Sequence, residues 1–133
     1  MKKILPLFIV GVLVLSGLGA VGYAEPKKSI EIPEVNGGIG HITILIENTG
    51  EVSLEDIEYQ VSVKGGMFGN IDLKENGIVS FIEYQSSEIS ETSKNIFGLG
   101  RITITINVDY AETWTGTGFV FGSFIFGIKK SSL

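Results

Sequence analysis

Residues 57–64 read Ile57-Glu58-Tyr59-Gln60-Val61-Ser62-Val63-Lys64. Apolar and polar side chains alternate without a break. That is the period of a strand with one face in a core and the other in water. The same period returns at Ile102-Thr103-Ile104-Thr105-Ile106-Asn107-Val108-Asp109. It returns again at Ile42, Ile44 and Ile46, set against His41, Thr43 and Glu47, with Leu45 interrupting the polar side. Each apolar stripe has to be buried, and two sheets packed face to face bury all three together.

The intervening stretches follow the same logic. Ile30, Ile32 and Val35 alternate with Glu31 and Glu34, and Pro33 restricts that segment to a sheet edge. Asn48-Thr49-Gly50-Glu51 is a turn, Gly65-Gly66 ends the central strand, and Gly69-Asn70 marks another turn. Ile71 and Leu73 predict a short strand closed by Asn76-Gly77, a strong hairpin signal, before Ile78 to Ile82. Residues 86–94 are polar except for Ile89 and fit either a surface strand or an irregular loop. A last strand is expected from about Glu112 through Thr113, Thr115 and Thr117 into Phe119-Val120-Phe121. About seven strands joined by glycine turns predict an all-β chain, an antiparallel β-sandwich over residues 30–128. A small barrel is the alternative.

Residues 1–24 read as an address. Lys2 and Lys3 precede an apolar run from Ile4 to Leu15, and Gly22-Tyr23-Ala24 supplies small residues for cleavage. This is the three-part form of a secretory signal peptide, with cleavage expected after Ala24. The alternative is a retained anchor, since Ile4 to Val21 approaches the length that spans a bilayer. Residues 25–29, with Pro26, are a short tether, and residues 129–133 are a polar tail. The expected location is therefore secreted or at the extracellular cell surface.

The chain of 133 residues has no cysteine, one histidine and a net charge of −5. Loss of Lys2 and Lys3 with the leader takes the remainder to −7. Disulfide scaffolds and cysteine-ligated metal sites are excluded. An acidic chain is a poor partner for nucleic acid or for an anionic membrane, so contact with membrane is expected only through residues 1–24 if they stay attached.

Ile44-Leu45-Ile46-Glu47-Asn48-Thr49-Gly50-Glu51-Val52-Ser53-Leu54-Glu55-Asp56-Ile57 resembles a strand corner of CARDB-like domains. Those are immunoglobulin-like, adhesion-related modules of bacterial and archaeal surface proteins. Gly100 to Asp109 is similar to their penultimate strand, and the resemblance spans roughly residues 38–110. The chain departs from the pattern at 85–93, where Gln85-Ser86-Ser87-Glu88-Ile89-Ser90-Glu91 replaces a proline- and glycine-containing turn. Phe97-Gly98-Leu99-Gly100 and Gly118-Phe119-Val120-Phe121-Gly122 resemble phrases of small exported archaeal proteins. The resemblance implies an immunoglobulin-like β-sandwich at a cell surface and carries no catalytic residues with it.

The candidate chemistry is sparse. His41 cannot build a zinc site without several carboxylates as co-ligands, and no G-x-S-x-G elbow accompanies it. Glu51, Glu55, Asp56 and Glu58 crowd one corner, with Asp109 and Glu112 as further candidates, but no calcium-loop motif organises them. Gly65-Gly66-Met67-Phe68-Gly69 lacks the lysine and helix of a phosphate loop, so no cofactor is expected. The chain is expected not to be an enzyme. What remains is aromatic. Phe68, Phe97 and Trp114 either plug the ends of a sandwich or gather into a platform for sugars or a partner protein. Phe119-Val120-Phe121-Gly122-Ser123-Phe124-Ile125-Phe126-Gly127-Ile128 is either a final, doubly buried strand or an exposed surface that includes Phe121, Phe124 and Phe126. Exposed, it would serve contact with cell-surface proteins or self-association by strand addition. Strand exchange through 119–128 or 29–35 would make the chain a filament subunit.

Overall fold

The structure, a computed structural model, describes residues 25–131. The expected leader at 1–24 lies outside the described residues. Among the described residues there is no helix, and eight strands form two antiparallel sheets. In order these are β1 (Ile30–Gly37), β2 (Ile42–Asn48), β3 (Leu54–Gly65), β4 (Ile71–Ile82), β5 (Ser87–Glu91), β6 (Gly98–Val108), β7 (Trp114–Gly122) and β8 (Phe124–Lys130). One sheet has the order β1-β2-β5 and the other β4-β3-β6-β7-β8.

The three alternating stripes meet in one core, as a β-sandwich requires. Ile42, Ile44 and Ile46 from the small sheet pack with Ile57, Val61, Val63, Ile102, Ile104 and Ile106 from the large one. Each fully buried side chain contributes about 1.5–3 kcal/mol relative to an exposed one. Ile96 and Val120 are buried in the same cluster.

Several local expectations are corrected. Asn76-Gly77 is not a turn, because β4 runs unbroken through it for twelve residues. Gly77 lies opposite Tyr59, and a Cβ on Gly77 would run into the Tyr59 ring. The glycine therefore serves cross-strand packing, and the tertiary contact overrides the local turn signal. The stretch 119–128 is not one strand. It breaks at Gly122-Ser123 into the β7–β8 hairpin, with Gly122 at a φ of 69°. The final strand runs on through Lys130, two residues into the expected tail. Residues 87–91 are a strand paired to β2, which settles the choice left open for 86–94. Pro33 falls where the β1–β2 register shifts, and β1 is an edge strand, as the sequence requires.

Three polar devices tie the layers together. Asn48 is fully buried at the end of β2, yet all its polar atoms are used. Its Nδ2 donates to the carbonyls of Val52 (2.9 Å) and Ile82 (3.1 Å), and its Oδ1 accepts from the Gly50 N–H (3.0 Å). This explains the Asn-Thr-Gly corner physically, since the asparagine builds the turn and fastens β2 to β4. Glu75 on β4 accepts from the N–H groups of Ser93 and Lys94 and from the Ser93 hydroxyl. Third, Gly38 and Gly40 hydrogen-bond to Ile125 and Ser123, capping the start of β8 with the β1–β2 connection.

Candidate interaction surface

Strand register determines the outer face of the large sheet. Leu99, Phe121 and Phe124 pair in one row across β6, β7 and β8, and Arg101, Phe119 and Phe126 pair in the next. Inward-facing neighbours Val120 and Ile125 are buried, so these rows point to water. The rings touch one another: Phe119 stacks on Phe126 with centroids 5.9 Å apart, and Phe124 meets Phe126 at 6.3 Å. The Arg101 guanidinium lies 5.9 Å from the centre of the Phe119 ring.

The same end gathers the turn aromatics. Phe97 is 70% exposed beside Gly122, and Phe68 is 82% exposed in the β3–β4 turn. That turn is held to β6 by the Met67 N–H donating to the Leu99 carbonyl at 2.6 Å. Ile39 bridges to Phe124 and is exposed as well. Isolated exposed apolar residues are ordinary; a contiguous apolar patch is not, and it makes this end the candidate surface for contact.

Of the six aromatic residues singled out in the sequence, five therefore lie at this end: Phe68, Phe97, Phe121, Phe124 and Phe126. Trp114 does not. It is only 5% exposed, its ring packs over Gly116, and it belongs to the core. Its parity with Val120 along β7 signals this, because residues an even number apart on a strand share a face. Leu99, Phe119, Ile39 and Met67 are additional members of the patch. For Phe119 the signal was present, since it flanks Val120 on the same side as Phe121.

The remaining candidates are held by backbone groups. His41 Nδ1 donates to the Thr92 carbonyl at 2.7 Å, and the Thr92 hydroxyl accepts from the Ile42 N–H. The Asp109 carboxylate accepts from the Glu58 N–H at 2.9 Å, and Glu51 accepts from the Lys27 N–H at 2.8 Å. Glu55 and Asp56 both face water, because Asp56 takes a left-handed φ of 50°. Among the described residues no three His, Asp or Glu side chains converge as a metal cage. Burial acts to raise the pKa of the Glu75 carboxyl, but the Ser93 and Lys94 N–H groups, the Ser93 hydroxyl and the Lys94 charge outweigh it. They hold Glu75 below the ordinary glutamate value.

No protein-family model matches the chain, and no curated protein matches it in sequence.

The patch also has a defined place along the molecule. β1 begins beside the Asn48–Glu51 corner, where Ser29 and Lys27 accept from the Thr49 and Glu51 N–H groups. It ends at Gly37, next to Ile125. An eight-residue strand spans about 25 Å. The N-terminal tether and the aromatic end therefore lie at opposite ends of the sandwich.

Proposed function

We propose that this chain is a non-catalytic, immunoglobulin-like β-sandwich of CARDB-like kind. It is exported and acts as a structural or adhesive interaction module at the cell surface. The observation that carries this reading is the exposed, register-aligned aromatic surface on β6, β7 and β8. Two further features support it. The chain alternates between layers, with β2 and β5 in the small sheet and β3 and β6 in the large one, as immunoglobulin-like Greek keys do. A leader held at the N-terminal end would present the aromatic end outward, toward a partner. The rings are neighboured by Leu99, Arg101 and each other, a setting suited to a protein surface. A glycan platform needs more hydrogen-bonding groups beside the rings, and Trp114 is buried away from it. Filament formation by strand exchange would first have to open existing pairs, since β1, β7 and β8 are all paired within their own domain.

Site-specific photo-crosslinking in the full chain tests the reading. A benzophenone side chain replaces Phe121 in one variant and Thr105, at the middle of the same outer face, in another. Protein adducts at position 121 and few at position 105 are expected. Adducts to lipid alone, or none, would overturn the proposal.

A further inference from the structure

The two outer faces of the sandwich differ in charge. On strands β1, β2 and β5 the outer positions hold Glu31, Glu34, Glu47 and Glu91 and no lysine or arginine; Glu88, paired with the buried Ile46, lies on the other side of β5. Glu31 and Glu47 stand directly opposite one another in the β1–β2 register, a like-charge pair that costs stability and finds no cation in its own sheet. At the centre of this acidic face Leu45 and the exposed Ile89 are cross-strand partners. The other outer face carries its cations beside the aromatic rows. Lys64, Thr103, Thr117 and Lys129 form one row beside the row of Arg101, Phe119 and Phe126, and Lys74 lies on the neighbouring edge strand. The acids of these strands' water-facing positions are Asp72, opposite Lys64, and Glu55, Asp56 and Glu58 at the far end, away from the rings.

We propose that the occupant of the aromatic surface is a second copy of this chain, bound through the acidic outer face of its three-stranded sheet. This rests on the reading of the aromatic end as a protein-docking surface and names its partner. Leu45 and Ile89 would cover the phenylalanine rows. Arg101 and Lys129 would meet the glutamates around them, relieving the Glu31–Glu47 repulsion. Because the two surfaces differ, the contact is heterologous, and copies add head to tail in an open series unless the rotation closes a ring. A three-stranded face is about 15 Å by 25 Å, smaller than the roughly 800 Å² per partner of a standard stable interface. Each contact is therefore weak, and assembly follows local concentration, as on a crowded surface where the chains are held by one end.

The test uses the full chain as it accumulates in its host, with two charge-reversed variants. One carries Arg101→Glu with Lys129→Glu, and the other Glu34→Lys with Glu91→Lys. All four positions are solvent-facing, and emission from the buried Trp114 checks that each variant is folded. In sedimentation over a concentration series, the mean mass of the parent should rise past that of a dimer. Each variant alone should associate at least tenfold more weakly, and an equimolar mixture should recover the parent's behaviour. A parent that is monomeric throughout, a series that stops at the dimer, or a mixture that stays dissociated would each overturn the proposal. Crosslinks from position 121 to a different protein would overturn it while leaving the docking function standing. Absence of any protein crosslink would remove both.

Discussion

The carboxylate of Glu75 on β4 accepts two N–H groups and a hydroxyl from Ser93 and Lys94, which follow β5 in the opposite layer. One buried side chain thus joins the edge of the five-stranded sheet to the end of the three-stranded one. Hydrogen bonds to a charged group contribute about 1.5–3 kcal/mol each, less the cost of desolvating the carboxylate.

That bridge makes a pH prediction. Glu75 has a folded-state pKa below its unfolded value. Its stabilisation is fully present above the ordinary glutamate range and is lost as pH falls through the lowered value. Glu75→Gln should lower the thermal midpoint at neutral pH. The gap between the two proteins should close as pH is taken from about 7 toward 3, in thermal melts followed by circular dichroism. A gap that stays constant with pH would show that the ionised form contributes nothing.

Tyr59 and Gly77 should be energetically coupled. Gly77→Ala should destabilise the protein by about 1–3 kcal/mol, as overpacking does. The same change should cost much less in a Tyr59→Ala background, because the ring that blocks a Cβ is gone. Chemical denaturation of the four proteins of this cycle measures the coupling, and strict additivity would refute it.

Asn48→Leu should be among the most damaging polar substitutions. It leaves the Val52 and Ile82 carbonyls and the Gly50 N–H without their partner, at about 1–3 kcal/mol for each group that stays buried. Urea midpoints for Asn48→Leu and Thr49→Ala, the latter a half-buried neighbour, should differ widely.

Trp114 is the single tryptophan and reports on the core. Its emission should be blue-shifted and poorly quenched by iodide in the native state. Trp114→Ala should cost about 3–5 kcal/mol. Phe121→Ala, at a site 67% exposed, should shift stability by no more than about 0.5 kcal/mol. That contrast separates an aromatic residue that builds the fold from one free to serve contact.

How much the sequence reveals depends on whether the deciding contact is local. The stripes at 42–46, 57–63 and 102–108 were legible because burial of one face writes a period of two directly into the chain. Asn76-Gly77 misled because a strong local turn signal lost to the Tyr59 ring, the partner of Gly77 eighteen residues upstream. The run 119–128 hid its hairpin because Gly122-Ser123 makes a weak turn signal among so many apolar residues. The five aromatic residues of the surface were recognisable by type. Their shared face was not, because it depends on which strand neighbours which. That the small sheet's outer face holds glutamates and no cation, while Arg101 and Lys129 stand beside the rings on the other face, was hidden for the same reason, since β1, β2 and β5 become one sheet only by long-range pairing.

The most direct test of the central claim is a residue-by-residue amide shift map as concentration is raised. Shifts should move together on Leu99, Arg101, Phe121 and Phe124 and on Glu34, Leu45 and Ile89, with Asn48 and Trp114 unmoved. Spectra that do not change with concentration, or changes that avoid both outer faces, would contradict the account.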